Sequence, residues 1–221
     1  MSGVSAPPAV TLRINEVFFS IQGESSRAGL PTVFVRLTGC PLRCRWCDTE
    51  YAFHEGRSRD IDDLLAEVKR HPARNVCITG GEPLAQPAVH ALMAALADAG
   101  YTVSLETSGA LDTGAVDPRV RVVMDLKCPD SGEVERNHWA NLAHLRPHDE
   151  VKFVLASRAD YDWMREVVLR ERLASRCGVL ASPVWGELDA AELAAWVLAD
   201  GLDVRLQLQL HKVLWQDARG R

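Results

Sequence analysis

The chain has no apolar run near the ~18 residues that a membrane span requires. Its opening residues, MSGVSAPPAV, lack the basic start and apolar stretch of a secretory leader. A cytoplasmic protein without a membrane partner is therefore expected. Positive charge is not in excess either: 25 Lys and Arg face 30 Asp and Glu, for a formal net charge of -5. That balance argues against a general nucleic-acid binder, because a polyanion would be repelled, although a small local basic pocket stays compatible with it. Linkers, low-complexity runs and internal repeats are missing as well. The 221 residues, 47% of them apolar, thus read as one domain over 1–221 with a large core. The Pro/Ala-rich start at 1–9 reads as flexible.

A further absence is chemical. The stretch GCPLRCRWCDTEYAF, residues 39–53, gathers Cys40, Cys44 and Cys47 but offers no fourth thiol. Cys77, Cys128 and Cys177 lie far off in apolar, strand-like surroundings, where a free thiol acts as a small buried hydrophobe. In a cytosolic chain of this size a tight cysteine cluster holds metal more often than it forms disulfides. Structural zinc wants four ligands, and Asp48, His54 and Glu55 complete no common zinc-finger spacing. A four-iron cluster on three thiolates leaves one iron open to an exogenous ligand, as a catalytic cluster requires.

Around this loop, strand-like and helix-like segments alternate. Apolar or β-branched runs at 32–38, 75–79, 101–106, 120–126, 151–156, 177–182 and 204–210 read as strands. Ile61, Leu64, Leu65 and Val68 recur at helical spacing, as do Val89, Leu92, Met93 and Leu96 before Gly100, and two more helices fit 161–172 and 189–199. The order predicts an α/β fold of parallel βαβ units, either an open sheet or a complete or partial barrel. Chemistry gathers at the carboxyl ends of such strands. There the sequence places the cysteine loop, GGEP (80–83), ETSG (106–109), DLKCP (125–129) and HK (211–212). Arg36 sits in an otherwise apolar strand and must meet an anion or carbonyls there. An internal Arg36–Glu24 salt bridge is one way to satisfy it, and His211 could be a satisfied strand-end histidine.

The Cys-x3-Cys-x2-Cys loop followed by GGEP resembles the radical S-adenosylmethionine (SAM) superfamily. The resemblance implies a partial, abbreviated β/α barrel and a catalytic [4Fe-4S] cluster on Cys40, Cys44 and Cys47. The open iron of that cluster binds SAM and generates a 5′-deoxyadenosyl radical, with the glycine loop holding the SAM amino group. The wider set is SIQGE (20–24), GLPTVFVRLTGCPLRCRWCDTEYA (29–52), TGGEP, ETSG, DLKCPDSG and HK. Together these are similar to the 7-carboxy-7-deazaguanine synthase family of queuosine and 7-deazapurine biosynthesis, over residues ~14 to ~215.

That likeness implies conversion of 6-carboxy-5,6,7,8-tetrahydropterin into 7-carboxy-7-deazaguanine with loss of ammonia. It also implies regenerated SAM, Mg²⁺, a homodimer and an electron donor such as flavodoxin. By the same likeness Ile21, Gln22, Gly23, Glu24, Arg36, Thr79 and His211 hold the pterin. Trp46, Cys47, Asp48 and Gly81 meet SAM, helped by Ser108 and Lys127, and Thr49 ligates Mg²⁺. The chain departs from the family at Ser25, where a glycine is common, and in the tail after Trp215. Two rivals are a glycyl-radical enzyme activase and, from another class, a non-enzymatic zinc-binding module.

Overall fold

The computed structural model describes residues 10–216 and 218–221; the start expected to be flexible, 1–9, lies outside the described residues. The chain builds β1 (Thr11–Ile21), β2 (Pro31–Leu37), β3 (Arg57–Asp60), α1 (Ile61–Val68), β4 (Asn75–Gly80), α2 (Val89–Asp98), β5 (Thr102–Thr107) and β6 (Arg121–Asp125). It continues through β7 (Glu150–Leu155), α3 (Arg158–Arg170), β8 (Gly178–Pro183), α4 (Ala190–Asp200), β9 (Arg205–Leu206) and α5 (Leu210–Trp215). One nine-stranded sheet runs β3-β1-β2-β4-β5-β6-β7-β8-β9. From β2 to β9 all neighbours are parallel, whereas β1 is antiparallel to both β2 and β3. The sheet ends in two open edges, so the architecture is a partial β/α barrel.

Alternation along the strands sorts the two faces, because successive side chains point to opposite sides. Val33, Val35 and Leu37 of β2, Val76 and Ile78 of β4, Val103 and Leu105 of β5, Met124 of β6 and Val151, Phe153 and Leu155 of β7 enter one continuous core. The helices supply its other half through Leu64, Val68, Leu92, Met93, Leu96, Tyr161, Met164 and Leu193, all buried. Burying each such side chain contributes about 1.5–3 kcal/mol. The alternate positions of the same strands carry Phe34, Arg36, Thr79, Glu106, Val123, Asp125, Lys152 and Val154, and these line a cavity on the opposite face. Helix starts are fixed by side-chain caps. Asp60 accepts from the Asp63 amide at 2.8 Å, Ser157 from Asp160 at 3.3 Å, and Asp189 from Ala191 at 2.7 Å.

The structure corrects the sequence reading at both ends. The run 204–210 is not one strand: only Arg205–Leu206 pairs, and Leu210–Trp215 is helical. The apolar alternation of VRLQLQL mimics a strand, but the ladder stops at the Gln207 amide's bond to the Ala181 carbonyl, while the buried Gln207 side chain pairs with Ser25. Before the expected first strand lies β1, whose Leu12 and Ile14 are buried between exposed Thr11 and Arg13. The short β3, RSRD, has no apolar signal at all and is held by pairing with β1. No helix among the described residues is long and apolar enough to cross a membrane.

Candidate active site

The cavity has a volume of about 520 Å³ and opens at the carboxyl ends of the parallel strands. All the residues singled out from the sequence line it: Ile21, Gln22, Gly23, Glu24, Arg36, Cys40, Cys44, Trp46, Cys47, Asp48, Thr49, Thr79, Gly81, Ser108, Lys127 and His211. Strand register explains the grouping. Arg36 on β2 lies opposite Thr79 on β4, Glu106 on β5 opposite Val123 on β6, and Asp125 on β6 opposite Lys152 on β7.

One end of the cavity is the cysteine loop. Its Gly39 has φ +97°, a left-handed conformation that glycine adopts without a Cβ penalty. The loop is pinned by Gly39 N–H to Ala52 carbonyl at 2.8 Å and by Glu82 N–H to Gly39 carbonyl at 2.7 Å. A side chain on Gly81 would collide with the Gly39 carbonyl and the Cys40 Cβ, so the glycine lets the two loops touch. Burial pushes the Cys44 thiol up to about 11, against the nearby Lys127 ammonium, and raises Cys40 as well. Metal coordination is what turns such thiols into thiolates near neutral pH. Cys77, Cys128 and Cys177 are buried and do not themselves line the cavity, although Cys77 lies against the lining residues Gln22 and Glu106, and burial raises each of them.

Three half-buried sulfurs on the wall of one open cavity fit an iron-sulfur cluster whose remaining face meets a ligand. Among the described residues no group of three His, Cys, Asp or Glu is arranged to hold a single metal ion. Thr49 Oγ1 lies 3.8 Å from Cys47 Sγ, and Asp48 lies 3.7 Å from the Lys212 ammonium. The Arg45 guanidinium stacks 5.0 Å above the Trp46 ring and pairs with Glu187 at 2.8 Å, which fixes the outer side of the loop.

The other end is polar. The Arg36 Nε donates to Glu16 Oε1 at 2.8 Å, and the Tyr51 hydroxyl donates to the same oxygen at 2.9 Å. The Arg36–Glu24 bridge considered from the sequence is therefore replaced by Arg36–Glu16, because antiparallel pairing sets Glu16 of β1 directly opposite Arg36. The terminal guanidinium nitrogens make no hydrogen bond among the described residues and face the cavity, with the Phe18 ring 5.8 Å from the guanidinium carbon. Glu24 accepts instead from Lys152 Nζ at 2.5 Å and from Gln209 Nε2 at 2.7 Å. Gln22 and Thr79 both donate to Glu106, at 3.1 and 2.9 Å.

His211 sits on α5, not at a strand end. Its ring lies where a side chain on Gly23 would stand, and Leu210 N–H donates to the Gly23 carbonyl at 3.0 Å. Ser25, at the position where the family favours glycine, adopts φ +67° and is held there by paired bonds to the Gln207 amide, each 2.8 Å.

Several members of the site escaped sequence reasoning. Glu82 has no exposed surface and accepts from the Leu84 amide, the Thr107 hydroxyl and both the amide and hydroxyl of Ser108, the last at 2.5 Å. It thus ties the GGEP loop to ETSG. Glu106, Asp125 and Lys152 also line the cavity, and Asn137 clamps the Lys127 backbone by two bonds of 2.9 Å. Glu106 and Asp125 open the motifs ETSG and DLKCP, which are visible in the sequence, but their partners across the sheet are not.

The partial barrel and its three-cysteine loop define a radical SAM protein, and the model of the Radical SAM superfamily matches residues 34–131. The chain is 47% identical to the 7-carboxy-7-deazaguanine synthase of Chlorobaculum tepidum, covering 95% of this chain and 97% of that one. It is 44% identical to the enzyme of that name from Koribacter versatilis, over 92% and 97% of the two chains. The crystal structure of QueE from Escherichia coli superposes with a TM-score of 0.71 at 26% identity, over 91% of this chain and 95% of that one. The chain belongs to the 7-carboxy-7-deazaguanine synthase family.

Proposed function

We infer that this cavity contracts the ring of 6-carboxy-5,6,7,8-tetrahydropterin to 7-carboxy-7-deazaguanine with release of ammonia. The observation that carries the reading is that a half-satisfied guanidinium and a paired carboxylate share one cavity with the three cysteines. When bound, the cluster and SAM supply a 5′-deoxyadenosyl radical. Cys40, Cys44 and Cys47 hold the cluster, and the backbone around Gly81, with Trp46 and Asp48, orients SAM against it, supported by Ser108 and Lys127.

The chain's own side chains do the substrate recognition. The Arg36 terminal nitrogens take the pterin carboxylate as a two-point pair. The Glu24 carboxylate accepts from the ring edge, with Ile21, Gln22, Gly23, Thr79 and His211 completing the wall. Thr49 would contribute one hard oxygen to Mg²⁺. The described chain acts as one radical SAM domain. A homodimer is supported by Leu206, Leu208, Val213 and Leu214, which are 37%, 45%, 55% and 50% exposed at and beyond the open β9 edge. An acidic one-electron carrier such as flavodoxin is supported by the exposed Arg43 and Arg45 beside the cluster loop.

Anaerobically reconstituted protein, given SAM, reductant and the carboxylated tetrahydropterin, tests the reading. It should yield 7-carboxy-7-deazaguanine and ammonia in equal amounts. A protein that cleaves SAM but leaves the pterin intact contradicts it.

A further inference from the structure

The cavity floor holds a cation to which the proposed chemistry gives no part. Lys152, on β7, is 13% exposed at its side chain, and its ammonium lies 2.5 Å from Glu24 Oε2 and 3.5 Å from Asp125 Oδ2. Glu24 belongs to the loop after β1, so the pair joins the pterin-facing loop to the far side of the sheet. Taking both charges out of water costs several kcal/mol per ion, and removing one partner leaves the other uncompensated.

The chemistry of Glu24 depends on that partner. An ionised carboxylate offers about four acceptor sites. Lys152 and Gln209 occupy one on each oxygen, which leaves one on each for a ligand. Two parallel acceptors match a heterocycle edge with a ring N–H beside an exocyclic amine. A protonated carboxyl would present a donor in place of one acceptor and would mismatch that edge.

Resting on the reading of this cavity as a carboxypterin site, we infer that Lys152 is a positioning residue: it keeps Glu24 an ionised, correctly turned acceptor and so sets selectivity for a two-donor edge. Burial alone would push the Glu24 carboxyl up, but the Lys152 ammonium, then the Gln209 amide and His211, hold it well below the usual carboxylate range. From the other elements packed around the pair, Asp125 on β6 and Glu106 on β5 face Lys152, and Lys127 flanks it beyond β6. Without the ammonium, these carboxylates and the burial together favour protonated Glu24.

The test is the affinity of 6-carboxy-5,6,7,8-tetrahydropterin for the SAM-loaded holoenzyme without reductant, at pH 6 and pH 8, with kcat and KM alongside. For Lys152→Met the Kd should rise about 10- to 100-fold at pH 6. The ratio of variant to parent Kd should shrink at pH 8 as Glu24 ionises again, kcat should move less than KM, and Lys152→Arg should restore most of the affinity. In a Glu24→Gln background, Lys152→Met should add less than about threefold, since the two residues act as a unit. Should Lys152→Met fail to fold, Lys152→Gln, which keeps a donor beside Glu24 without the charge, serves for the same two-pH comparison and the same double variant. A ratio that does not change with pH, an equal loss in both backgrounds, or a fall in kcat at unchanged Kd overturns the inference while the carboxypterin reading stands. A parent holoenzyme that binds no pterin overturns that reading, and this inference with it.

Discussion

Arg36 reaches Glu16 through its Nε alone, at 2.8 Å, while Tyr51 donates to the same Glu16 oxygen at 2.9 Å. The contact fixes the plane of the guanidinium and leaves its outer edge turned to the cavity. Glu16→Ala should therefore raise KM for the carboxylated pterin about tenfold, on the scale of one hydrogen bond to a charged group. Glu16→Gln keeps an accepting oxygen and should raise KM less. Steady-state kinetics decide, and an unchanged KM in Glu16→Ala would remove the contact from the substrate site.

Cysteine replacements should separate by place. Cys40→Ala, Cys44→Ala and Cys47→Ala should each abolish SAM cleavage and the brown, oxygen-sensitive absorbance of the cluster. Cys77→Ala, Cys128→Ala and Cys177→Ala should keep both, because those thiols are buried and lie outside the cysteine loop. Iron and sulfide content after anaerobic reconstitution measures the difference.

Thr49 should govern the response to Mg²⁺. Its hydroxyl lies 3.8 Å from the Cys47 sulfur, on the cavity wall. Thr49→Ala should show a weaker rate increase on Mg²⁺ addition than the parent. Rates titrated with Mg²⁺ provide the check, and identical curves would exclude the hydroxyl from the metal's shell.

Glu82 should be a stability residue as well as a site organiser. Glu82→Ala strands the Leu84 and Ser108 amides together with the Thr107 and Ser108 hydroxyls, all directed at its carboxyl group. The expected loss is about 2–4 kcal/mol, read as a lower urea midpoint of the cluster-free protein. A midpoint equal to the parent's would mean that water replaces the carboxyl at no cost.

Much of this arrangement is legible in the sequence because the relevant signals are local. The apolar, β-branched runs TVFVRLT and VKFVLA mark strands, and the motifs at strand ends mark the rim where chemistry collects. What escaped was non-local. β3 carries Arg57, Ser58, Arg59 and Asp60, and it exists only because β1 pairs with it. Glu16 finds Arg36 through an antiparallel register that no spacing reveals, and Lys152 finds Glu24 across 128 positions of sequence. VRLQLQL misled for a converse reason. Its alternation is that of a strand, but Gln207 bonds to Ser25 and Gln209 to Glu24, and the chain turns into α5.

The most direct test of a cavity that generates the radical at one end and reads the carboxylate at the other is paired product analysis of the parent and Arg36→Ala. Both are incubated anaerobically with SAM, reductant, Mg²⁺ and 6-carboxy-5,6,7,8-tetrahydropterin, and 7-carboxy-7-deazaguanine and 5′-deoxyadenosine are quantified together. The parent should form many equivalents of deazaguanine with SAM largely conserved. Arg36→Ala should lose transition-state stabilisation of roughly 3–5 kcal/mol for that product, while it still assembles its cluster and slowly cleaves SAM. Deazaguanine formed by Arg36→Ala at the parent's rate and KM would contradict the account.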